Sequence, residues 1–327
     1  MLGTLRLLLA LAVLLSHAEV RFYGLNPGVI AVVGFYVISG YVMTGLLRRY
    51  YPGGADIPRY CLDRLLRLMP PYLAVAALTW LWWMLAGKPA TLFLRHEPGI
   101  ADLVNNLLVV PLNFFMWNDA DHYTLIPPSW SLGAEIQFYL LMPLLLLARL
   151  RLAALVASVA VFLCASLGLL QTEWFGYRLL PGVLFMFLLG SFLYDAHHAV
   201  PSIPALLRRV LPWLAPAAAV LAAVSLAYAG KLMLPYNRET LLGIAFAVPL
   251  VHALACRPSR PWDEAAGDLA FSVFLNHFLL IWAVFGKVES VAELLALIAA
   301  SLALAALIHR FVEAPAQRLR RGLRARP

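Results

Sequence analysis

Long apolar runs separated by short polar joints fill the chain from one end to the other. A helix that crosses the hydrocarbon of a bilayer needs about 20 mostly apolar residues. We predict such helices at about 2–19, 28–47, 72–87, 130–148, 152–170, 179–195, 210–229, 240–256, 268–286 and 290–309. The runs are too long and too evenly apolar for barrel strands. The pattern therefore predicts an all-α polytopic membrane protein, with residues 1–327 forming one domain.

The stretch 103–117 is also apolar, but it is shorter than a span. Pro111 breaks it, and three asparagines interrupt it, namely Asn105, Asn106 and Asn113. Short interrupted segments of this kind are typical of re-entrant or interfacial pieces. We predict that 103–117 does not cross the membrane, and both of these forms stay open.

Composition excludes a soluble enzyme or binding module. Hydrophobic residues make up 63% of the 327 and charged residues 13%, whereas soluble domains have about half and about a quarter. The three cysteines, Cys61, Cys164 and Cys256, show no C-x-x-C spacing. We expect neither a disulfide framework nor a metal site from them.

The basic residues are distributed unequally between the two sides of the predicted bundle. Of the 25 Lys and Arg, 17 fall in the tail and in the joints on one side, seven fall on the other side, and Arg6 lies inside the first span. The positive-inside rule places the first side, with both termini, in the cytoplasm. Topology and anionic lipid account for this excess, so we expect no nucleic acid partner and a multi-pass membrane protein.

Arg6 and His17 are separated by eleven positions in the first span. On an α-helix this spacing leaves them about 20° apart around the axis and roughly 16 Å apart along it. An Arg in a span needs a partner or an aqueous cavity, because insertion costs at least about 2.5 kcal/mol. The other interpretation is that Arg6 reaches the inner headgroups and that His17 only caps the helix at the outer interface.

Further motifs follow in a recognisable order. The second span contains "GFYVISGY" with Ser39, and Arg64 and Arg67 form an R-x-x-R in the next joint, where we expect the helix to stop at Pro70. The stretch "WSLGAEIQFYLLMP" then runs from Trp130 to Pro143. Together with R-x10-H at Arg6 and His17, this set resembles the acyltransferase-3 family of integral-membrane acyltransferases, which includes bacterial O-acetylases of surface glycans.

The resemblance covers nearly the whole chain and implies an O-acyltransferase of a bacterial inner membrane. It further implies an acyl-CoA donor, most simply acetyl-CoA, and a glycan or glycolipid acceptor. Many members also carry a hydrolase-like domain after the tenth span, and we expect none here. The family often has an acidic or aromatic partner around a late His, where this chain has Asn276 beside His277. The resemblance makes Trp130, Tyr139, His277 and Asn276 candidates for the substrate path.

Acyl transfer to a hydroxyl needs a general base, and His17 has an unperturbed pKa that suits this task near neutral pH. Glu135 begins its helix on the same outer side, so we predict that it meets and orients His17. The alternative is that Glu135 only favours the positive N-terminus of its helix. Arg6 would lie between this pair and the cytoplasm, where we predict a catalytic role for it, either neutralising a pyrophosphate or polarising the thioester carbonyl.

Donor binding is predicted at Arg64 and Arg67, because guanidinium groups match phosphate geometry, with Arg6 and Ser39 as further contacts. The alternative is that these arginines only determine topology. We expect no metal: the "NDADHY" loop with Asp119, Asp121 and His122 is interpreted as a turn or an acceptor surface. His197 and His198 are interpreted as cations at a helix C-terminus and not as metal ligands.

A transporter or flippase for a lipid-linked sugar is the alternative function, since polar residues inside ten spans also suit a transport path. No pair of Gly/Pro-broken segments in two matching halves supports it. Membrane lipid is an expected partner in either case, and the sequence leaves a homo-oligomer open.

Overall fold

The computed structural model describes residues 1–200 and 205–324. Within these ranges the chain forms α-helices and no strand. The helices are α1 (Leu2–His17), α2 (Pro27–Tyr50), α3 (Ile57–Leu85), α4 (Ile100–Leu108), α5 (Phe115–Asn118), α6 (Ser129–Leu147), α7 (Arg151–Ser166), α8 (Leu180–His197), α9 (Ala205–Tyr228), α10 (Asn237–Ala255), α11 (Pro261–Leu280), α12 (Val291–Ile308) and α13 (Ala314–Arg324). The predicted all-α class is confirmed.

Each of the ten predicted spans falls on one of these helices. In the described ranges, 8 helical segments are long and apolar enough to cross a membrane, and α1 and α7 are shorter apolar helices of 16 residues each. The protein is thus a polytopic membrane protein. Burial separates central from peripheral helices, since 72% of the apolar window of α2 is buried but only 17% of that of α9.

Helix α3 runs without interruption from Ile57 to Leu85. The prediction that a helix carrying Arg64 and Arg67 stops at Pro70 is therefore wrong. Pro70 and Pro71 each remove one backbone donor, and an interior proline costs about 3 kcal/mol. A broken helix would leave more backbone groups unpaired beside hydrocarbon, so the continuous helix is favoured. As a result, both arginines belong to the helix of the third span.

The segment 100–118 bends rather than crossing as one straight helix. The helix direction changes by 106° between its two halves, Ile100–Leu108 and Val110–Asn118. Tyr72 donates a hydrogen bond of 2.7 Å to the carbonyl of Asn106, at a level about three and a half turns before the end of α3. The side chain of Asn106 in turn donates to the carbonyl of Tyr123 at 2.9 Å. A segment that enters beside α3 and returns agrees with the re-entrant form.

Helices α2 and α8 pack with their backbones in close contact. A Cβ atom at Gly40 would lie 1.7 Å from the carbonyl oxygen of Phe187, and one at Gly190 would lie 1.9 Å from that of Val37. Small residues at such crossings let two membrane helices touch along their backbones. Any side chain at Gly40 or Gly190 would force the two helices apart.

Both described chain ends lie at the same end of the bundle, which we call the terminal face. The Met1 ammonium donates to the carbonyl of Leu254 at 2.8 Å, and Arg324 donates to Asp63 at 3.0 Å. Met1 and Arg324 line one common cleft. His17, at the other end of α1, lies near the opposite face, beside the loops that contain Arg21 and Tyr236.

Candidate active site

Three cavities follow one another through the bundle. A wide cleft of about 850 Å³ opens at the terminal face, and we call it the arginine cleft because eight arginines and three carboxylates line it. A central cavity of about 90 Å³ is lined by Ser39, Glu135 and Tyr139, among others. An outer pocket of about 150 Å³ contains His17 and Trp130 in its wall.

Neighbouring cavities share wall residues, so they form one row. Arg6, Arg64 and Arg67 line both the arginine cleft and the central cavity. Val32, Ser131 and Phe274 line both the central cavity and the outer pocket. Polar side chains therefore follow the row from the terminal face to His17, interrupted by the apolar groups of Val32 and Phe274.

Arg6 faces the junction of the arginine cleft and the central cavity. No group in residues 1–200 or 205–324 accepts a hydrogen bond from its guanidinium, unlike those of Arg64 and Arg67. A cation inside a span is stabilised by a partner or an aqueous cavity, and here the cavity takes that place. The simple headgroup-snorkelling interpretation of Arg6 does not fit this position.

Glu135 belongs to a network inside the central cavity. Its Oε1 accepts hydrogen bonds from the hydroxyl of Ser39 and, at 2.5 Å, from that of Tyr139. The prediction that Glu135 meets His17 is wrong, because His17 contacts another imidazole. Glu135 lies a full turn into α6, with its side chain turned towards α2, so the two side chains line different cavities.

The partner of His17 is His277. The Nδ1 atom of His17 lies 2.9 Å from Nε2 of His277, and the two rings stack with centroids 5.1 Å apart. His277 is fully buried in α11, and its own Nδ1 lies 3.2 Å from the carbonyl oxygen of Val273. The late histidine proposed for the substrate path thus contacts the predicted base directly.

This chain of contacts determines which nitrogens carry protons. The carbonyl of Val273 can only accept, so Nδ1 of neutral His277 must donate to it, and its Nε2 is then an acceptor. His17 therefore donates from Nδ1, which leaves the lone pair on its Nε2. The same logic orients the base in catalytic triads, where a partner holds one nitrogen so that the other can take a proton.

Aromatic and cationic side chains form the wall opposite His17 in the outer pocket. The guanidinium of Arg178 lies 4.4 Å from the ring centroid of Trp130 and forms an ion pair of 2.6 Å with Glu173. Burial raises the pKa of Tyr236, so its phenol stays neutral. Trp130 was predicted as a substrate-path residue, whereas Arg178 was counted only as a loop charge.

Arg64 and Arg67, the predicted donor-binding residues, line the arginine cleft, but neither is free. Arg64 is 7% exposed and pairs with the fully buried Asp63, with Nε at 3.0 Å from Oδ2. Arg67 pairs with Glu313 at 2.7 Å. Asp63 also contacts Arg320 at 3.4 Å and Arg324 at 3.0 Å. Three arginines around one carboxylate leave an excess of positive charge.

Helix α13 brings further arginines to this cleft. Arg320, Arg321 and Arg324 all line it, and the ion pairs to Asp63 attach α13 to α3. Sequence reasoning treated these residues only as topology signals. Their spacing of three and four positions, which puts Arg320 and Arg324 on one face of a helix, was the available signal.

Asn276 does not belong to the path. Its Nδ2 donates to the carbonyl of Ser301 at 3.0 Å, and its Oδ1 accepts from the Ser301 hydroxyl at 2.5 Å. Asn276 is fully buried between α11 and α12 and lines none of the three cavities. Next to His277 in sequence, it points away on the helix, because adjacent residues lie about 100° apart. Its assignment as a substrate-path residue is wrong.

Two other predicted features have clear outcomes. In the "NDADHY" loop, the side chain of Asp121 lies 3.7 Å from that of Arg95. The backbone of Asp119 has a left-handed conformation with φ 52°, as expected for a turn. In contrast, no metal site was expected from Cys256, but two histidines lie close enough to it to share an ion with it. His197, His252 and Cys256 place their ligand atoms within 4.8 Å of one another, which the separation of 55 positions between the two histidines concealed.

Comparisons with known proteins agree with the sequence motifs. A family model described as an acyltransferase domain of the acyltransferase-3 type matches residues 2–310. A protein of Aquifex aeolicus without an assigned activity is 36% identical over 165 residues, which are 48% of this chain and 71% of that protein. O-acetyltransferase OatA of Staphylococcus aureus is 30% identical over 175 residues, 51% of this chain and 28% of OatA. No solved structure matches significantly.

The matched part of OatA is under a third of that protein. The family model, in contrast, covers this chain from α1 into the turn that follows α12. It includes every residue of the central cavity and of the outer pocket. This chain therefore belongs to the acyltransferase-3 family.

Proposed function

We propose that this protein is a membrane O-acyltransferase. It transfers an acyl group, most simply acetyl, from cytoplasmic acyl-CoA to a hydroxyl of an exported or surface glycan or glycolipid. The observation that carries the proposal is the row of cavities, with arginines at one end and the His17–His277 pair at the other. The likeness to O-acetyltransferase OatA supports the reaction class.

The terminal face is the cytoplasmic side in this proposal. The joints and the tail on that side hold 17 of the 25 Lys and Arg, which the positive-inside rule assigns to the cytoplasm. Acyl-CoA then enters from the terminal face, and the acceptor reaches the outer pocket from the other side. The setting that fits this arrangement is a bacterial inner membrane.

The arginine cleft binds the phosphates of the donor. Arg64 and Arg67 contribute together with arginines of α13, because the eight arginines of the cleft outnumber its three carboxylates even when the paired Asp63 and Glu313 are added. Guanidinium groups bind phosphate oxygens through paired hydrogen bonds. The thioester arm extends past Arg6 into the central cavity, where Ser39 and Tyr139 line the wall.

Glu135 has a positioning role in this scheme. It fixes the hydroxyls of Ser39 and Tyr139 through Oε1 and gives the cavity beside Arg6 a compensating negative charge. A carboxylate at this depth is stable only when it is paired and hydrogen-bonded. Arg6 then has a free guanidinium for the donor, which also carries negative charge.

His17 is the general base. Its Nε2 takes the proton of the acceptor hydroxyl while the acceptor oxygen attacks the thioester carbonyl carbon. The tetrahedral intermediate collapses with cleavage of the carbon–sulfur bond, and His17 returns the proton to the sulfur of coenzyme A. The products are an ester and free coenzyme A. His277 holds His17 in the tautomer that this step requires.

The aromatic wall of the outer pocket favours a sugar acceptor. The rings of Trp130, Tyr177 and Tyr236 offer apolar faces, and Arg21 and Arg178 offer hydrogen-bond donors. Ligand sites combine apolar walls with a few polar groups that orient the ligand. A pyranose ring has both apolar faces and hydroxyl groups, so it matches this wall.

Purified protein in vesicles, supplied with radiolabelled acyl-CoA and a glycan extract, tests the proposal. Release of free coenzyme A together with label in the glycan is expected. Movement of glycan across the vesicle membrane without consumption of thioester would instead identify a carrier, which is the alternative function for a row of cavities.

A further inference from the structure

Two histidines and a cysteine meet at the terminal face, outside the three cavities described above. His197 is the last residue of α8, His252 lies in the last turn of α10, and Cys256 follows α10 directly. The Nε2 atom of His197 lies 2.5 Å from Nδ1 of His252 and 3.5 Å from Sγ of Cys256. No residue of this group lines the arginine cleft, the central cavity or the outer pocket.

The spacing and the residue types of this cluster match those of common metal sites in proteins. His252 and Cys256 are four positions apart and therefore lie on one face of α10. His197 comes from a different helix, so an ion here would join α8 to α10. Imidazole nitrogen and thiolate sulfur are the ligands that Zn²⁺ prefers in proteins.

A hydrogen bond outside the cluster orients His197. The hydroxyl of Tyr41 lies 3.1 Å from its Nδ1, which directs Nε2 towards His252 and Cys256. Histidines that bind metals almost always use their second nitrogen in this way, and the outer contact determines both tautomer and ring orientation. Tyr41 thus supplies an observation that is independent of the three ligand atoms.

The distances suit a tetrahedral ion after a small adjustment. Zn–N bonds of about 2.1 Å and a Zn–S bond of about 2.3 Å put the ligand atoms about 3.4–3.6 Å apart. The separation of 3.5 Å between His197 and Cys256 already has this value. The two imidazole nitrogens at 2.5 Å would open by about 1 Å. At their present distance, their lone pairs need a proton or a cation between them.

We infer that His197, His252 and Cys256 bind a divalent transition metal ion such as Zn²⁺, with a fourth position left for water. Zinc sites that hold water or a substrate in the fourth position typically have three protein ligands. The ion fastens the ends of α8 and α10 at the rim of the arginine cleft, which Tyr41, Tyr194 and Ala255 line. This site is independent of the proposed acyl transfer.

Metal titration of the full-length purified protein tests this inference. Co²⁺ is the first probe, because a thiolate ligand gives it a charge-transfer absorption band that histidine and water do not give. We expect one Co²⁺ per chain with that band, displaced by Zn²⁺. Cys256→Ser should lose the band, and His252→Ala should lose stoichiometric binding. Tyr41→Phe should weaken Zn²⁺ binding by about 10–100-fold.

Cys61→Ser is the matched control, since Cys61 is a free cysteine in α3 and not part of the cluster. It should keep the band and the stoichiometry. Circular dichroism of each variant checks that the helices are retained. Binding below one ion per chain in the unmodified protein would overturn the inference, as would binding without a thiolate band. Equal losses in Cys61→Ser and Cys256→Ser would overturn it as well.

Discussion

Nδ1 of His17 lies 2.9 Å from Nε2 of His277, a residue 260 positions away in the chain. This contact joins the predicted catalytic histidine of α1 to a fully buried histidine of α11. Because the carbonyl of Val273 holds the other nitrogen of His277, the pair has one consistent arrangement of protons, with the lone pair of His17 on Nε2.

Replacing His277 should therefore lower turnover without preventing donor binding. In His277→Ala, His17 loses the acceptor for its Nδ1 proton, and we expect turnover to fall by roughly tenfold or more, within the range of general base catalysis. His277→Gln keeps an acceptor oxygen and should recover part of that loss. Steady-state kinetics with varied acyl-CoA separates turnover from the Michaelis constant.

Asn276→Ala is the control for this comparison, because Asn276 contacts Ser301 and lines none of the three cavities. It should lower the melting temperature and leave turnover near normal. If His277→Ala and Asn276→Ala reduce turnover equally, His277 is only a core residue.

The double substitution of Arg64 and Arg67 by Ala should raise the Michaelis constant for acyl-CoA. Hydrogen bonds to charged groups contribute about 1.5–3 kcal/mol each, so a loss of tenfold or more is expected. Arg208→Ala with Arg209→Ala is the matched control, since these residues are predicted on the same side but line none of the three cavities. If the Arg64/Arg67 variant inserts normally and its Michaelis constant for acyl-CoA is unchanged, these arginines only determine topology.

Arg6→Lys distinguishes a donor contact from a simple cation. Lysine keeps the charge and can reach the headgroups, but it lacks the planar guanidinium that matches phosphate or a thioester oxygen. We expect acyl transfer to fall although expression stays normal. Wild-type kinetics in this variant would show that Arg6 contributes only its charge.

Reporter fusions test the sidedness of donor and acceptor. A reporter joined after residue 327 should be active only in a cytoplasmic format, because arginines crowd the tail. A fusion after Gly230, in the turn between α9 and α10, should be active only on the other side of the membrane. Activity of the first fusion outside the cytoplasm would reverse the proposed direction of transfer.

Hydropathy was enough to find a helix at each of the ten predicted spans, 8 of which are long and apolar enough to cross a membrane, because bilayer thickness demands about 20 apolar residues whatever the tertiary contacts. It failed at Pro70, where a proline usually marks a helix end in water but is tolerated inside a membrane helix. Local pattern also placed Arg6, Ser39 and Glu135 correctly on their helices, and the structure brings them to one cavity.

Contacts between distant helices were beyond sequence reasoning. Glu135 and His17 were paired because both lie towards the same side, but depth along the bundle does not determine which faces meet. The partner of His17 depends on how α11 rotates against α1, and a single chain shows no sign of that rotation. For the same reason, Cys256 looked isolated although His197 and His252 lie beside it.

Acyl transfer by purified His17→Gln protein tests the central claim most directly. Glutamine can form hydrogen bonds but takes no proton near pH 7, so it removes the base and keeps much of the side-chain size. With normal folding and normal acyl-CoA binding, turnover should fall by roughly 10²–10⁴-fold, about as far as in His17→Ala. Turnover near that of the unmodified protein would contradict the account, since His17 would then be only an interfacial cap on the first helix.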